Sequence, residues 1–521
     1  MAIINKLENF QMKIKEDLLS KAEELNPMLY YEEKSPTCFV EIIKGEKDYE
    51  IGERQNISIL SSLELKKGRS VCLDFGGHQV GYVSFLIKPV GSPPDAPAHL
   101  RIKFGEHICE IAEESSSYSG SISGSWIQEE FIHIDILPTR IEMPRRYAFR
   151  YMEIKVIDTS PKYDIVLEEI CCNTVSSADR NCVSILKNTD SIFKILDDVS
   201  LKTLKGCMQN VFEDGPKRDR RLWIGDLRLQ ALVNYETFKN YNLVKRCLYL
   251  FAGATQNEGR VGACIFTEPK VMVDDTSLFD YSLFFVSCLF DYYQATEDRE
   301  TLEELWETAY RQIEISATEI DERGVVRDKD TWWCFIDWHE TLNKQAAAQA
   351  IFIYTLKQAY KLAVILEDEK KKEEFATLLL KTERGAKRYL WDEQKGFFVS
   401  GKACQISWAT QIWFVLADIM PKGENTKLLT RLIEEDPDIK MVTPYMYHYF
   451  IDALIHCGML ELAKQYIEYY WGGMLKEGAD CFWELFDPEN IYVSPYGSRI
   501  INSYCHAWSC TPSYFIRKYF I

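Results

Sequence analysis

The chain has 521 residues, enough for two or three domains with sizeable cores. Hydrophobic residues make up 46% of the sequence and aromatic residues 13%, which indicates a globular protein. A formal net charge of −18 argues against nucleic acid and an anionic membrane surface as partners, because both require a basic protein surface.

The sixteen cysteines are scattered without CxxC pairs, and none of the eight histidines joins them at the spacing of zinc ligands. The first residues, MAIINKLENFQMKIKEDLL, are charged and amphipathic, so they do not predict a signal peptide. No apolar run is long enough to span a bilayer. We therefore expect a cytoplasmic protein with reduced thiols and with no metal or organic cofactor, leaving only a structural calcium open.

Three regions follow one another along the chain. Residues 1–34 predict a helix and a linker. Residues 35–180 contain short alternating segments such as HLRIKFGEH and FIHIDIL, separated by the turn-rich stretches SPPDAP and SSSYSGSISGS. Many short strands with such loops predict an accessory β-sandwich domain.

Residues 181–521 predict a helical domain with about a dozen helices. Paired helices with longer loops between alternate pairs indicate an (α/α)6 barrel, in which a funnel at one end binds small molecules. The predicted helices centre near Ile192, Leu229, Leu248, Phe285, Leu305, Ile353, Leu378, Ile412, Leu428, Phe450, Ala463 and Trp508.

The stretch EDGPKRDRRLWIGD, from Glu213 to Asp226, concentrates charge around Trp223 in a turn-rich loop before a helix that is expected to begin near Gly225. Loops of this kind often carry functional sites. The alternative interpretation is a solvated, salt-bridged connector, and on either interpretation Glu213 is expected to face solvent.

Other loops repeat the combination of carboxylates with tryptophan or tyrosine. They are VDDTSLFDY, KDTWWCFIDWHE and EGADCFWELFDP, followed by NSYCHAWS at the expected start of the last helix. Carboxylates hydrogen-bond sugar hydroxyls and indoles stack on pyranose faces, so these loops predict a carbohydrate site. Cleavage of a glycosidic bond also requires two carboxyl groups, and composition alone does not select that pair.

Several of these residues have a plausible structural role instead. One of Trp332 and Trp333 is expected in the core, and Asp280 could cap a helix. Asp487 precedes a proline and suits a turn. His448 lies among tyrosines in a helical pattern and is expected to be a packed histidine.

The motifs DGPKRDRRLWIGD, CFWELF and CHAWS resemble those of glycoside hydrolase family 78, the α-L-rhamnosidases. LDFGGHQVGYVSF and KFGEH look like the accessory β-sandwich of that family, and FIDWHE like its central Asp-Trp segment. The resemblance extends over nearly the whole chain from about residue 70. It implies an (α/α)6 barrel and hydrolysis of terminal, non-reducing α-L-rhamnose with inversion.

The resemblance also implies residue roles. Glu484 matches the general base, and Asp219 is the only carboxylate at the place of the general acid, where many members carry Glu-Glu-Arg or Asp-Glu-Arg. The C-terminal β-sandwich common in the family is expected to be absent or vestigial here. The residues expected to bind the sugar are Asp214, Arg218, Trp223, Asp226, Asp280, Trp333, Asp337, Trp338, Trp483 and His506.

A cation beside a general acid favours loss of its proton, so Arg218 or Arg220 is expected to pair elsewhere, with Asp214 or Glu213. Two alternatives stay open: a glycosidase of the same fold for another α-linked deoxyhexose or uronate-linked sugar, and a non-catalytic carbohydrate-binding protein. The expected substrate is a small imported oligosaccharide or glycoside. A homodimer is the default expectation for the assembly.

Overall fold

The computed structural model describes residues 11–187 and 189–521. Strand β1 (Lys13–Ile14) is followed by helix α1 (Glu16–Glu24). The part of the predicted N-terminal helix in residues 1–10 lies outside the described residues. Residues 30–34, which were expected in a linker, instead form strand β2 (Tyr30–Lys34) at the edge of the large sheet.

The first domain is built on one antiparallel sheet in the order β2-β10-β5-β9-β6-β7, with β3 and β8 paired to β5 and β4 paired to β3. Its further elements are β3 (Cys38–Lys44), β4 (Tyr49–Asn56), β5 (Ser70–Gly91), β6 (Ala98–Gly105), helix α2 (Ile108–Ala112), β7 (Glu129–Ile134), β8 (Thr139–Glu142), β9 (Tyr147–Asp158) and β10 (Tyr163–Ser176).

The core of this domain follows from the two-residue period of its strands. Alternation places Leu100, Ile102 and Phe104 of β6 on one face, where each is at most 1% exposed. They pack in one cluster with Phe149 and Ile154 of β9. Burial of each such side chain stabilises the fold by about 1.5–3 kcal/mol.

Strand β5 is interrupted where its pairing with β9 shifts register, between Asp74 and Gln79. The interruption turns the segment around His78 toward the helical domain, and the backbone N–H of His78 donates to Asp480 Oδ2 at 2.6 Å. The sheet therefore contacts a loop of the second domain directly.

Within residues 189–521, twelve α-helices and six short strands follow the sheet. The helices are α3 (Ser191–Cys207), α4 (Ile224–Glu236), α5 (Tyr241–Gly253), α6 (Phe279–Thr296), α7 (Arg299–Ala317), α8 (Gln345–Ile365), α9 (Glu369–Tyr389), α10 (Trp408–Leu416), α11 (Lys422–Glu435), α12 (Pro444–His456), α13 (Leu460–Lys476) and α14 (Pro512–Tyr519). The strands are β11 (Leu222–Trp223), β12 (Ala254–Thr255), β13 (Cys264–Phe266), β14 (Met272–Val273), β15 (Trp391–Asp392) and β16 (Phe397–Phe398).

Alternate helices contact one another in succession: α4 with α6, α6 with α8, α8 with α10, and α10 with α12. Helix α14 contacts α4, and the rings of His448 in α12 and Phe515 in α14 lie 5.0 Å apart, so the succession closes on itself. Four further helices pack against this ring: α7 against α6 and α8, α9 against α8, α11 against α10, and α13 against α12. Helices α8 and α10 are buried along most of their length, whereas α9 and α11 expose a charged face, as expected for inner and outer helices.

The last helix begins later than the sequence predicted. Trp508 lies in a short 3-10 turn (Ala507–Ser509), and α14 begins at Pro512, since proline suits the first helical position. His448 is buried among aromatic rings, which confirms a packed histidine. All sixteen cysteines are free thiols. Among the described residues, no helix combines the length and apolar character that crossing a bilayer requires.

Candidate active site

The loop after α3 is closed by the carboxylate of Asp214. Its two oxygens accept the backbone N–H groups of Asp219 at 3.1 Å and Arg221 at 3.0 Å. Gly215 is required in this turn, because a Cβ there would lie 2.6 Å from the carbonyl oxygen of Arg218. The loop that the sequence singled out is therefore a compact turn with a defined shape.

Side chains of the sheet domain pair with two residues of this loop and hold it in place. Lys217 is 1% exposed, and its Nζ donates to Glu110 Oε1 of α2 at 2.6 Å. Glu213 is also buried and pairs with Arg146 at 2.6 Å, so the expectation that it faces solvent was wrong. The sequence could not show this, because both partners lie in the other domain.

Arg218 is buried and joins this loop to the one that carries Glu484. Its Nη2 donates to Glu484 Oε2, and its Nε donates to the carbonyl oxygen of Ile501 at 2.8 Å. The guanidinium lies 4.3 Å from the centre of the Tyr496 ring. Arg218 was expected to bind the sugar, but its donors are directed to Glu484 and the backbone.

Glu484 is 3% exposed, and its carboxylate accepts three hydrogen bonds. The donors are Arg218, Tyr496 Oη at 2.6 Å and the backbone N–H of Ser503 at 3.3 Å. Burial acts to raise the pKa of this carboxyl, but the charge of Arg218 and the hydrogen bond from Tyr496 hold its pKa below the ordinary value. Glu484 is therefore ionised at neutral pH.

Asp219 lies on the other side of the same guanidinium. Its Oδ1 is 3.8 Å from Nη1 of Arg218, too long for a hydrogen bond, and its side chain is 23% exposed. Arg220 turns away and donates to the carbonyl oxygens of Pro216 and Arg146, both at 2.8 Å. The expected pairing of Arg218 or Arg220 with Asp214 or Glu213 is not seen. Among the described residues, however, neither arginine donates a hydrogen bond to Asp219.

Asp214, Asp226 and His506 form a buried polar group beside these carboxylates. His506 Nε2 lies 4.0 Å from Asp214 Oδ2, and Nδ1 lies 3.6 Å from Asp226 Oδ1. Burial, followed by the charge of Asp219, raises the pKa of Asp214 to about 7, and burial raises that of Asp226 well above its ordinary value. Burial lowers the pKa of His506 to about 4, so its imidazole is neutral at neutral pH.

Several buried polar atoms of this region lack a hydrogen-bond partner among the residues that the structure describes. They include Asp226 Oδ1, His506 Nδ1, Trp223 Nε1 and Trp338 Nε1. Since buried polar groups are almost always paired in native proteins, a cluster of unpaired ones indicates a site for a polar ligand. Sugar hydroxyls both donate and accept hydrogen bonds, so they suit the unpaired donors and the unpaired acceptors of this set.

A chain of aromatic contacts surrounds the polar group. The ring of Trp223 lies 6.3 Å from that of Tyr281, which lies 5.7 Å from Phe335. Phe335 in turn contacts Trp338 at 5.2 Å and Trp508 at 5.7 Å. Such walls are typical of small-molecule sites, in which a few polar groups orient the ligand.

Two predicted sugar-binding carboxylates instead position loops. Asp280 is fully buried, and its oxygens accept the N–H groups of Phe335 and Ile336 at 2.9–3.1 Å. Asp337 accepts the N–H of Thr443 at 3.1 Å and its hydroxyl at 2.8 Å, at the start of α12. These bonds fix the shape of the two loops, and the sugar contacts of both carboxylates stay predictions.

Two predicted sugar-binding tryptophans make contacts within the protein. Trp333 is the core member of its pair, and its Nε1 donates to the carbonyl oxygen of Lys329 at 3.1 Å, whereas Trp332 is partly exposed. Trp483 packs edge-on against Tyr504 at 5.2 Å and His107 at 5.6 Å, at the contact with the sheet domain.

Tyr496 is a residue of the site that the sequence patterns did not indicate. It donates to Glu484, stacks on Arg218 and lies 6.0 Å from Trp338, so it connects the carboxylates to the aromatic wall. Its segment, YVSPYGS, contains no carboxylate beside an aromatic residue, and so gave no signal of the kind that identified the other loops.

Comparison with known proteins gives consistent matches along the chain. Residues 37–174 match the glycosyl hydrolase family 78 alpha-rhamnosidase N-terminal domain, and residues 182–520 match the bacterial alpha-L-rhamnosidase 6 hairpin glycosidase domain. No curated protein sequence matches.

Among solved structures, a rhamnosidase from Klebsiella oxytoca with rhamnose bound is 47% identical and superposes with a TM-score of 0.96, over 98% of this chain and 100% of that one. A family 78 rhamnosidase of Bacillus sp. GL1 is 20% identical (TM-score 0.72), over 86% of this chain and 46% of that one. An α-L-rhamnosidase of Streptomyces avermitilis complexed with L-rhamnose is 15% identical (TM-score 0.66), over 94% and 44%. The last two are similar in fold.

Proposed function

Because this chain belongs to glycoside hydrolase family 78, we propose that it is an α-L-rhamnosidase that releases terminal, non-reducing α-L-rhamnose from small oligosaccharides or glycosides. One observation carries this proposal: Asp219 and Glu484 lie on two sides of one guanidinium, next to a buried group of unpaired polar atoms. The 47% identity to a rhamnosidase with rhamnose bound supports the same sugar.

In the proposed complex the buried group binds the hydroxyls of rhamnose. Asp214, with a pKa of about 7, and Asp226, whose pKa burial raises well above its ordinary value, are carboxyl groups that can hold a proton and donate, while the neutral imidazole of His506 can accept. Trp223 and Trp338 pack against the ring and its methyl group, and their unpaired Nε1 atoms donate to oxygen.

The proposed reaction is a single displacement with inversion. Glu484, kept ionised by Arg218, takes a proton from a water molecule whose oxygen attacks the anomeric carbon. Asp219 gives its proton to the glycosidic oxygen as that bond breaks. Inversion requires the two carboxyl groups to lie roughly 6.5–9.5 Å apart, leaving room for the water.

We propose that the succession of inner helices α4, α6, α8, α10, α12 and α14 is an (α/α)6 barrel, occupying residues 181–521. The closure of α14 onto α4 supports this architecture. We further propose that the strands of residues 35–180 form an accessory β-sandwich, whose role includes holding the Glu213–Arg221 loop through Arg146 and α2.

The free thiols suit a reducing compartment, which supports the proposed cytoplasmic location and hence a small, imported substrate. For the assembly we propose a homodimer, the commonest closed arrangement of soluble proteins. Light scattering of the purified protein measures its mass, and a monomer would contradict this part.

Turnover of an aryl α-L-rhamnoside tests the proposed activity. The wild type is expected to release the aryl group, and Glu484→Gln is expected to lose turnover but still bind rhamnose, because only the base is removed. Glu477→Gln, an exposed glutamate before the same loop, is the matched control and should retain full activity.

The panel of substrates also includes aryl α-glycosides of other deoxyhexoses. Preference for one of these would favour a different substrate, and binding of rhamnose with no turnover of any activated glycoside would favour a non-catalytic sugar-binding protein. Proton NMR of the first product separates inversion from retention.

A further inference from the structure

A cluster of metal-ligating side chains lies behind the active-site loops. One ligand atom from each of His78, Cys481 and Cys505 lies within 4.8 Å of the other two. The His78 side chain is 3% exposed, and both thiols are buried. His78 comes from the interruption of β5, whereas the cysteines belong to the segments CFWE and CHAW that also carry Glu484 and His506.

The histidine is oriented by a buried carboxylate. His78 Nε2 lies 2.9 Å from Glu106 Oε1, so Nδ1 is left for another partner. A Cβ built on Gly206 of α3 would lie 4.0 Å from this Nδ1 and 3.4 Å from Cys505 Sγ. The imidazole nitrogen and the thiol therefore both lie next to Gly206. A carboxylate that fixes one nitrogen while the other faces thiols is the usual outer arrangement of a histidine that binds a metal.

A route from solvent lies beside the cluster. Cys207, next to Gly206, is also buried, but its Sγ lies 3.6 Å from the carbonyl oxygen of Asp214 and is not one of the three grouped ligand atoms. A cavity of about 380 Å³ between the sheet and α3 is lined by His78, Val80 and Gly206, among others. The cluster therefore borders a space that an ion can enter.

We propose that His78, Cys481 and Cys505 bind a structural zinc ion. Two thiolates and an imidazole in a buried site select zinc over the harder magnesium and calcium. Binding converts the coordinating thiols to thiolates and releases their protons to solvent. The ion would join β5 of the sheet domain to the two loops that position Glu484 and His506.

The wide separation of its residues explains why the sequence gave no sign of this site. His78 lies about 400 positions before Cys481, so no ligand spacing is visible along the chain. The cluster exists only because the interruption of β5 brings His78 against the loops of the helical domain.

Metal analysis of the full-length protein, purified under reducing conditions without chelator, tests the proposal. We expect about one zinc per chain in the wild type. The zinc content should fall at least tenfold in Cys481→Ser and stay unchanged in the matched control Cys404→Ser, whose thiol is exposed. Glu106→Gln should weaken zinc binding about 10–100-fold in a chelator competition, because it removes the partner of His78.

A second measurement needs no variant. Wild type stripped of metal and titrated with Co²⁺ should develop the visible absorption of tetrahedral cobalt–thiolate coordination, saturating at about one equivalent. Absence of zinc together with absence of this absorption would overturn the proposal, and so would fewer than sixteen titratable thiols in the denatured, metal-free protein, which would indicate a disulfide. These readouts are independent of rhamnoside turnover.

Discussion

Replacing Arg218 by methionine isolates the buried ion pair at the centre of the site. The side chains of Arg218 and Glu484 are 3% and 4% exposed, so the carboxylate left behind has no access to solvent. Removing one partner of a buried pair costs about 3–5 kcal/mol, and we expect the lower end because Tyr496 and Ser503 still bond Glu484. The same loss should raise the pKa of Glu484 and move the acidic limb of the pH–rate profile to higher pH.

A double-mutant cycle shows whether this cost belongs to the pair. Unfolding by urea is followed by circular dichroism for Arg218→Met, Glu484→Gln and the double variant. We expect the double variant to be more stable than the sum of the single losses by about 2 kcal/mol, because neither charge is then left unpaired. Arg311→Met, which breaks an exposed pair with Glu314, should cost less than about 1 kcal/mol. Strictly additive losses would refute the coupling of Arg218 to Glu484.

Three further predictions concern the sugar and its cleavage. Asp219→Asn should slow hydrolysis of alkyl rhamnosides by about 10²–10⁴-fold but that of activated aryl rhamnosides much less, because only poor leaving groups need the acid; equal losses would exclude Asp219 as that acid. Rhamnose affinity, measured by calorimetry, should weaken as pH rises through the pKa of Asp214 at about 7, since the carboxyl then loses the proton that it donates; an affinity independent of pH would contradict this role. Trp338→Ala should raise KM about fivefold with a smaller change in kcat, as expected for lost packing of about 1 kcal/mol, and an unchanged KM would remove Trp338 from the sugar contact.

Local patterns were sufficient for most of the helices and for one structured loop. Apolar spacing located the helices from α4 to α13, and the breakers in EDGPKRDRRLWIGD identified a structured loop. Within that loop Asp214 and Asp226 lie 4.0 Å and 3.6 Å from His506. These residues share short segments whose composition reports directly on local chemistry.

Long-range pairing could not be predicted in the same way. Asp280 and Asp337 have the composition of sugar ligands, but donors from distant loops, such as the N–H of Ile336 and the hydroxyl of Thr443, occupy their oxygens. Tyr496 and the cluster around His78 gave no local signal, because their partners lie in other parts of the chain. Sequence patterns therefore identified acidic and aromatic loops without showing which side chains point into the site.

A crystal structure of Glu484→Gln soaked with an α-L-rhamnoside tests the central claim most directly. The account expects rhamnose beside His506, with Asp219 on the leaving-group side of the anomeric carbon and residue 484 on the opposite face, their carboxyl positions roughly 6.5–9.5 Å apart. A sugar bound elsewhere, or one whose anomeric carbon lies between a different pair of carboxyl groups, would contradict the account.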